Sequence, residues 1–450
     1  MPVSAPSRPG GDRRRTLAVA ILGAVMLAAA YGVHDTVDLV VDNRRYVGLA
    51  GAMLAACGLA SLALWRRARH RDVAIVLAVA LAARLLVAFD APTLSDDAYR
   101  FVWDGRVQAA GINPYAYAPA SRALVPLRDY SIFTELNRPY VRTLYPPVDQ
   151  LAFLAVNRVA GEGVVAVKLA WLALEVGVVA LVLVALRRTG ASPGRVALYA
   201  WHPLAVVEIA GSGHPEPLVL VPMLAALLLW DRGRRAAAGV ALACAALARF
   251  VPVVLAPFML RRGSARFAAA FAVTAVVLYG PYAGAGTAAL GSVGHFAHEA
   301  SGAGPYRWLL ATGLGVTPAR VLLLAGLAAA VAFSAHRPPS DLTGACRHAA
   351  LLLGATLLAS SQVQPWYLLW VLPLLCVAPE PGLLWACATA SALYLSFRGA
   401  AAVSADVVEV VVWAPTVALL CVSLGRSRRA RRRQARPALP TAGASAAGGG

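Results

Sequence analysis

The sequence predicts an all-α membrane protein, a polytopic bundle of about twelve to fourteen transmembrane helices. Of its 450 residues, 59% are hydrophobic and only 14% are charged, and the mean hydropathy is +0.65. Soluble domains carry about 25% charged residues, so composition alone indicates a membrane class. The apolar stretches are continuous and close to the ~20 residues that cross a hydrocarbon core, without period-two alternation, which favours helices over a β-barrel.

The arginine distribution predicts the orientation of the bundle. The net charge of +19 would suggest a nucleic-acid partner in a soluble protein. Here the arginines cluster between alternate apolar segments, so no nucleic acid is expected, and the positive-inside rule assigns the clusters to the cytoplasm. The clusters lie at residues 13–15, 66–71, 187–195, 232–235, 261–266 and 426–436. Both termini are then cytoplasmic and the segment 90–158 is external. The excess of arginine over lysine, with abundant alanine, suggests a GC-rich bacterial genome, so the expected location is a bacterial plasma membrane.

Taken in order, the apolar stretches give about fourteen candidate spans. They cover residues 16–33, 46–65, 73–89, 162–186, 196–211, 217–230, 236–248, 251–260, 267–282, 318–334, 347–363, 366–378, 383–398 and 406–424. The segments 236–248 and 251–260 are too short to cross singly. They are expected to form a broken helix pair around Arg249 and Pro252, or a re-entrant hairpin.

The domain organisation follows from these spans. Residues 16–424 are expected to form one integral membrane bundle that includes the external loop 90–158. Residues 1–15, rich in Pro, Gly and Ser, and the basic tail 425–450 are expected to be disordered and cytoplasmic.

Charged residues inside the predicted spans or at the break between two of them include Arg84, Lys168, Glu175 and Arg249. Each costs about 2.5 to 3.5 kcal/mol at a helix centre, so they should face the bundle or water. Lys168 and Glu175 share a helix face but lie too far apart to bond, so each needs another partner. Structural ion pairs and substrate contacts both remain open for them.

The external loop 90–158 holds the first catalytic candidates. Asp96 and Asp97 lie just beyond the apolar run that ends at Phe89, and Arg100 follows on the same expected helical face. One interpretation is a solvated helix start with Ser95 as N-cap. The other is catalysis at the membrane surface, for which Asp96 and Asp97 are the first candidates.

Further polar and aromatic side chains follow in the same loop and are typical of a sugar-binding surface. These candidates are Trp103, Asp104, Arg106, Gln108 and Asn113. Since nucleotide-sugars are cytoplasmic solutes, an enzyme acting on the external side would draw its sugar from a lipid-anchored carrier in the bilayer.

A second wall of the site is predicted at the outer end of the fifth span. Glu208 lies there, and His214 and Glu216 follow in a turn that Pro215 and Pro217 stiffen. An isolated histidine in a turn is also compatible with a purely structural role. No cofactor is required by this pattern, and a divalent metal is not indicated, although His295 and His298 form an HxxH pair in a Gly-rich loop that could act as a lid.

Several motifs together resemble the bacterial polyprenol-phosphate-dependent glycosyltransferases of the GT-C superfamily, especially the family 87-like mannosyltransferases. The motifs are DDAYRFVWDGRVQAAGINPYAYAP from Asp96, Tyr145-Pro146-Pro147, Trp201-His202-Pro203 with Glu208, Gly213-His214-Pro215-Glu216 and Gln364-Pro365-Trp366-Tyr367. The resemblance covers nearly the whole chain in order. It adds Tyr145, Gln364, Trp366 and Tyr367 to the substrate-binding candidates.

The resemblance implies that an acidic residue of the first external loop is the base, which corresponds to Asp96, with Asp97 as the alternate. In that superfamily the acidic loop usually follows the first span, whereas here it follows the third. The first two spans would then be an N-terminal addition, unless the span register differs.

The expected reaction is transfer of a hexose, mannose on the strength of the resemblance, from a polyprenyl-phosphate donor to a hydroxyl of an envelope glycan or glycolipid. Because phosphate is a good leaving group, one carboxylate base suffices, and direct displacement inverts the anomeric centre. The leaving phosphate needs a cation, for which Arg100 and Arg106 are candidates and Arg307 and Arg398 are secondary ones. Two other functions remain open, a lipid-carrier or small-solute transporter and a non-catalytic membrane scaffold.

Overall fold

The computed structural model describes residues 9–260, 265–291, 303–396 and 403–434, and within these ranges the chain is helical and contains no strand. The α-helices are α1 (Pro9–His34), α2 (Asn43–Leu64), α3 (His70–Ala88), α4 (Asp97–Ala109), α5 (Pro147–Ala160), α6 (Val164–Arg188), α7 (Ala197–Ala200), α8 (Pro217–Asp231), α9 (Arg235–Ala246), α10 (Ala256–Leu260), α11 (Ala265–Tyr279), α12 (Gly304–Ala311), α13 (Val316–His336), α14 (Leu342–Ala359), α15 (Leu372–Val377), α16 (Pro381–Thr389) and α17 (Ala405–Gln434). One π-helix covers Ala205–Gly211. Shorter 3₁₀ helices cover Arg122–Leu127, Phe133–Glu135, Pro193–Val196, Val251–Leu255, Gly280–Leu290, Pro365–Trp370 and Ala390–Ser396.

The predicted fold class, a polytopic helical bundle, is confirmed. Within the described ranges, seven helices are long and apolar enough to cross a membrane. They cover Asp12–His34, Asn43–Leu64, Val164–Arg188, Ala265–Leu290, Val316–His336, Leu342–Ala359 and Ala405–Arg426. The predicted span 73–89 is the continuous 19-residue helix α3, and the remaining predicted spans are built from shorter or interrupted helices.

The interruptions lie next to prolines, at Pro203, Pro252 and Pro373. The predicted span 196–211 is divided, because α7 stops at Ala200 and the π-helix starts only after Pro203. The span 366–378 is likewise divided between a 3₁₀ helix and α15. The break predicted around Arg249 is present, since α9 ends at Ala246 and the next helix starts at Val251.

The first helix begins earlier than the predicted span because its start is held by ion pairs. Asp12 is buried, and its carboxylate pairs with Arg15 at 3.1 Å and with Arg69. Asp72 on α3 accepts hydrogen bonds from Thr16 at 2.5 Å and from Arg15 at 3.2 Å. Helical structure therefore extends into the stretch 1–15 that the sequence predicted to be disordered.

The last helix, α17, reaches Gln434 and so enters the predicted tail 425–450. Residues 1–8 and 435–450 lie outside the described residues. So do the HxxH pair, His295 and His298, and the secondary candidate Arg398.

Contacts between helices define two ends of the bundle. At one end the hydroxyl of Ser192 donates to the carbonyl of Leu64 at 2.7 Å, so the arginine-rich loops after α2 and α6 meet there. At the other end Lys168 Nζ donates to the carbonyl of Asp90 at 2.7 Å, where α3 ends and α6 begins. The segment 90–158 starts at this second end, away from the arginine-rich loops.

The charges predicted to face the interior of the bundle do so. Arg84 and Glu175 form a bidentate ion pair, with Nη2–Oε1 at 2.6 Å and Nε–Oε2 at 2.7 Å, and the hydroxyl of Tyr199 donates to the same carboxylate at 3.1 Å. Lys168 donates to two backbone carbonyls rather than to Glu175. These buried groups are satisfied inside the bundle, as structural ion pairs require.

The segment 90–158 folds as two helices, α4 and α5, joined by a long loop with two 3₁₀ turns. The helices approach closely at Gly105, where a Cβ atom would lie 2.6 Å from the carbonyl oxygen of Phe153. Only glycine fits at this crossing. The close packing fixes α4 against α5.

Candidate active site

The two candidate carboxylates at the start of α4 lie in different environments. The hydroxyl of Ser95 accepts a hydrogen bond from the backbone N–H of Asp97 at 3.3 Å, which supports the first turn. The Asp97 side chain is only 23% exposed, and the amide of Asn137 donates to it at 2.7 Å. Asp96 is exposed and lies 3.3 Å from the same amide. Asp97 therefore faces the bundle, whereas Asp96 faces water.

His214 approaches Asp97 from the turn before α8. The preceding Gly213 has φ +79°, and a Cβ atom there would meet Lys168 at 3.0 Å, so glycine is needed to make this turn. His214 is buried, and its Nε2 lies 4.0 Å from the Asp97 carboxylate. Among the described residues this Nε2 has no hydrogen-bond partner.

The opposite ring nitrogen of His214 is held by Glu208. Nδ1 lies 3.3 Å from Glu208 Oε2 and 3.2 Å from the Glu208 carbonyl oxygen. Because both neighbours are acceptors, we assign the proton to Nδ1, which leaves Nε2 as an acceptor in the neutral ring. The arrangement turns the basic nitrogen of His214 toward Asp97.

Glu208 itself lies on the π-helix and is fully buried. The hydroxyl of Tyr394 donates to its two carboxylate oxygens at 3.0 and 3.2 Å, and Tyr46 packs edge-on against Tyr394 at 5.5 Å. Single π-turns occur often at functional sites, because the extra residue redirects a side chain. Glu208 lies behind His214 and holds it, so it is not positioned to touch a ligand directly.

The Gln364-Pro-Trp-Tyr motif forms the third wall. Trp366 stacks on His214 with ring centroids 3.8 Å apart and planes inclined by 19°. Tyr367 packs beside Trp366 at 5.8 Å and stacks on Trp370 at 4.7 Å. Gln364 precedes this 3₁₀ helix and is half-buried. The fold thus joins motifs that are separated by about 150 residues in the sequence.

Glu216 belongs to a buried charge cluster beneath this wall. The indole N–H of Trp370 donates to one of its oxygens at 2.5 Å, and Arg249 lies 3.5 Å from the other. Arg249 also pairs with Asp149 and lies 5.3 Å from the ring of Tyr145. This cluster links α5 of the loop to α8 and to the break after α9.

Burial shifts the pKa of two groups of the loop near this cluster. Burial raises the pKa of Asp149 to about 7, which Glu216 reinforces and Arg249 opposes. Burial, together with the charge of Asp97, raises the pKa of Tyr145 well above its usual range. Tyr145 is therefore a neutral phenol at physiological pH, so it is not a base.

Several loop candidates form a buried network rather than an open surface. Arg100 Nε donates to Asp104 at 2.9 Å, Gln150 donates to the same carboxylate at 2.9 Å, and Gln108 donates to Gln150 at 2.9 Å. The hydroxyl of Tyr282 closes the network on Gln108 at 2.9 Å. Although its spacing places Arg100 on the same helical face as Asp96 and Asp97, Arg100 pairs with the i+4 carboxylate of Asp104, which lies on the buried side of α4.

The remaining loop candidates hold the loop together further along α4. Arg106 pairs with Asp129 at 2.8 Å and Glu162 at 2.7 Å and lies 6.0 Å from the ring of Trp103. Its hydrogen bond holds the pKa of Asp129 below its usual range. At about 1.5 Å per residue, Arg106 begins ~13 Å along the helix from Asp97.

Asn113 also serves the loop backbone. Its side-chain oxygen accepts from the N–H of Tyr115 at 3.1 Å, and its amide donates to the carbonyl of Tyr282 at 3.3 Å. The secondary candidate Arg307 pairs with Asp406 at 2.6 Å near the other end of the sequence.

Three residues around Asp97 and its neighbours were missed by the sequence reasoning. Asn137 lies in a stretch with no motif, and Tyr394 lies in an apolar run. Trp370 is flanked in the sequence by apolar residues, as an aromatic residue of the core would be. The tripeptide Asn137-Arg138-Pro139 is the only sequence feature that could have pointed to Asn137. Arg138 is the described non-glycine residue with positive φ, at +46°, a backbone strain typical of functional loops.

In the part of the chain that the structure describes, no group of three or more His, Cys, Asp or Glu side chains is placed to hold a metal ion.

The comparison with protein families gives a match over residues 15–262, to the MptA_B family, described as alpha-(1->6)-mannopyranosyltransferase, N-terminal domain. This range includes Asp97, His214 and Glu216 and ends before Trp366. Comparisons with curated proteins and with solved structures gave no match. Since the matched range is more than half of the chain, and the chain is a bundle with several membrane-crossing helices, the protein belongs to the MptA_B family and is an alpha-mannosyltransferase of the membrane.

Proposed function

We propose that this protein transfers a mannosyl group from a polyprenyl-phosphate-linked donor to a hydroxyl of an envelope glycan or glycolipid, on the external face of a bacterial plasma membrane. The observation that carries the proposal is the meeting of Asp97 with the unpartnered Nε2 of the buried His214, 4.0 Å away, at the outer end of the bundle. A hydroxyl proton placed between these two groups would have an acceptor on either side.

Asp97, rather than Asp96, is the proposed general base. Its carboxylate is part-buried and oriented by Asn137 at 2.7 Å, whereas Asp96 is exposed. A base must lie within reach of the hydroxyl it deprotonates, and a fixed carboxylate loses less freedom when the acceptor binds. This reassigns the role that the sequence favoured for Asp96 to its neighbour.

His214 and Glu208 are proposed to position and tune the base. Glu208 holds Nδ1–H of His214, and Trp366 stacks on the ring, so Nε2 keeps its direction. With its proton held on Nδ1 by Glu208, the imidazole presents Nε2 as a second acceptor that orients the hydroxyl whose proton goes to Asp97. Glu208 is a positioning residue here, since it is buried beneath the histidine.

The reaction is proposed to invert the anomeric carbon. The acceptor oxygen forms a bond to C1 while the C1–O bond to phosphate breaks, the hydroxyl proton goes to Asp97, and polyprenyl phosphate leaves as an anion. Since the family makes alpha-linked products, a single displacement requires a donor with beta configuration at C1. Phosphate leaves without protonation, so no second carboxylate acid is needed.

Arg138 is the proposed ligand of the departing phosphate. It is exposed, adjoins Asn137 in sequence, and is close enough to Tyr367 for its charge to act on that hydroxyl. A guanidinium at this position would offer the bidentate geometry that phosphate oxygens favour.

The external location is supported by the separation of charges along the bundle. The arginine-rich loops after α2 and α6 meet at the end opposite to Asp97. Under the positive-inside rule, Asp97 then faces the outside, where lipid-linked sugars are the available donors.

The test is a transfer assay with the purified full-length protein in lipid nanodiscs and an alpha-mannoside acceptor. We expect an alpha-linked product from beta-mannosyl phosphopolyprenol and none from the alpha anomer or from GDP-mannose. Transfer from GDP-mannose would overturn the lipid donor, and equal use of the two anomers would overturn direct displacement. Arg138→Gln should raise the KM for the donor about tenfold and leave the KM for the acceptor unchanged.

A further inference from the structure

A separate cavity of about 190 Å³ lies beside the proposed site. Its walls come from three places: the loop between α1 and α2, the segment after α3, and the π-helix with the turn that follows it. It does not include Asp97, His214 or any residue of the Gln364-Pro-Trp-Tyr wall.

The cavity and the proposed site share their supporting backbone. Leu94 lines the cavity three residues before Asp97, and Ser212 lines it two residues before His214. Val207 lines it next to Glu208 on the π-helix. A ligand held in the cavity is therefore bounded by the same two segments that carry the proposed base and the histidine.

The polar groups of the cavity suit an uncharged polyol. His34 Nδ1 and Asp90 Oδ1 lie 2.8 Å apart, and their side chains remain 44% and 30% exposed, so both keep hydrogen-bonding capacity toward a ligand. Thr93 and Ser212, which carry hydroxyl groups, also line the cavity. Among the residues that the structure describes, no lysine or arginine lines it, and Asp90 would repel a phosphate.

The apolar lining and the size agree with a single sugar ring. Val33, Val87 and Val207 offer a surface for the C–H face of a pyranose. At ~30 Å³ per water molecule, the volume corresponds to about six waters, well below the ~300 to 1,000 Å³ of pockets for larger ligands.

We propose that this cavity is an acceptor subsite that binds one neutral hexose ring of the glycan adjoining the hydroxyl to be glycosylated. The inference rests on the proposed function, because it assigns a substrate to the same site. It also gives a role in substrate binding to α1 and α2, which the sequence analysis treated as an N-terminal addition. Their connecting loop completes the cavity.

The test uses two variants and a matched control in the full-length protein. His34→Ala removes the imidazole from the cavity rim. Gly211→Ala adds a methyl group toward Val207 and Val87, at ordinary contact distances of 3.6 and 3.9 Å, and so narrows the cavity without overlap. Arg45→Ala is the control, since Arg45 forms an exposed ion pair with Asp35 in the same loop and does not line the cavity.

We expect His34→Ala to raise the acceptor KM about tenfold and Gly211→Ala to raise it severalfold, with donor KM and the maximal rate within twofold of wild type. Arg45→Ala should match wild type. Acceptor KM values within twofold of wild type in both cavity variants would overturn the proposal, as would a rise confined to donor KM.

A binding measurement separates this inference from the proposed reaction. Saturation-transfer NMR of the nanodisc protein with methyl alpha-mannoside and alpha-1,6-mannobiose should show contacts that His34→Ala weakens. Binding without transfer by wild type would reject the proposed function and retain the subsite, whereas transfer without any His34-dependent binding would reject the subsite. A stronger response with a lipid-linked mannoside than with the free sugar would identify a glycolipid acceptor, and equal responses a soluble glycan end.

Discussion

Replacing each of the two adjacent carboxylates by its amide tests the assignment of the base. Asp97→Asn keeps the shape of the side chain and retains an oxygen that can accept from Asn137, but removes the basic lone pair. General-base catalysis contributes about 10²- to 10⁴-fold, or about 2.7 to 5.4 kcal/mol at 1.36 kcal/mol per factor of ten. We therefore expect Asp97→Asn to lower kcat by at least a hundredfold.

The effect on folding should be much smaller. The Asp97 side chain is 23% exposed and its hydrogen bond to Asn137 is a single contact at 2.7 Å. Weakening such a bond costs about 0.5 to 1.5 kcal/mol at most, so the protein should remain folded and membrane-inserted. Thermal unfolding of the nanodisc protein, measured for each variant, checks this point.

Asp96→Asn is the matched control, because it makes the same chemical change one residue away at an exposed position. We expect its initial rate to stay within threefold of wild type at saturating donor and acceptor. Loss of activity in Asp96→Asn with near-normal turnover in Asp97→Asn would return the role to Asp96. Near-normal turnover in both variants would refute the catalytic assignment of this loop.

Three further perturbations probe the support of the site, the core and the orientation. Tyr394→Phe removes two hydrogen bonds from Glu208, so kcat should fall about five- to tenfold with substrate KM values unchanged in steady-state kinetics. Arg84→Ala leaves Glu175 buried without its partner and should lower the free energy of unfolding by about 3 to 5 kcal/mol, whereas the apolar double variant Arg84→Met with Glu175→Leu should recover most of it in thermal melts. A cysteine at Tyr130, which is 89% exposed in the loop, should react with an impermeant maleimide in intact cells, and reaction only after permeabilisation would contradict the external location.

Much of the site could be predicted because its residue types are unusual for their surroundings. Asp97, His214, Glu216 and Trp366 interrupt apolar sequence with polar or aromatic groups, and the fold brings them together. Whether they act in catalysis stays a prediction. The choice between Asp96 and Asp97 as the base was not predictable from the sequence. The two residues are of the same type and differ only in the direction in which the first turn of α4 points their side chains.

Other loop residues show the limit of spacing arguments. Arg100 shares a helical face with Asp96 and Asp97 by spacing, yet it bonds to Asp104, because the packing of α5 on α4 buries that side of the helix. Sequence spacing shows which side chains can meet on a helix, and the burial of one helix face determines which of them form a bond. The same reasoning explains why Gln108 binds Gln150 instead of forming an open sugar-binding surface.

The sequence by itself determined the membrane class, the helical fold, the separation of arginine-rich loops from the acidic loop, and the need to bury Arg84 and Glu175. These properties depend on local hydropathy and charge, which the order of residues states directly. Only the tertiary structure decided that His214 turns a free ring nitrogen toward Asp97, and that a π-turn places Glu208 behind it. The contact of His214 with Asp97 joins residues more than a hundred positions apart, and its geometry follows from how whole helices pack, which no local pattern encodes.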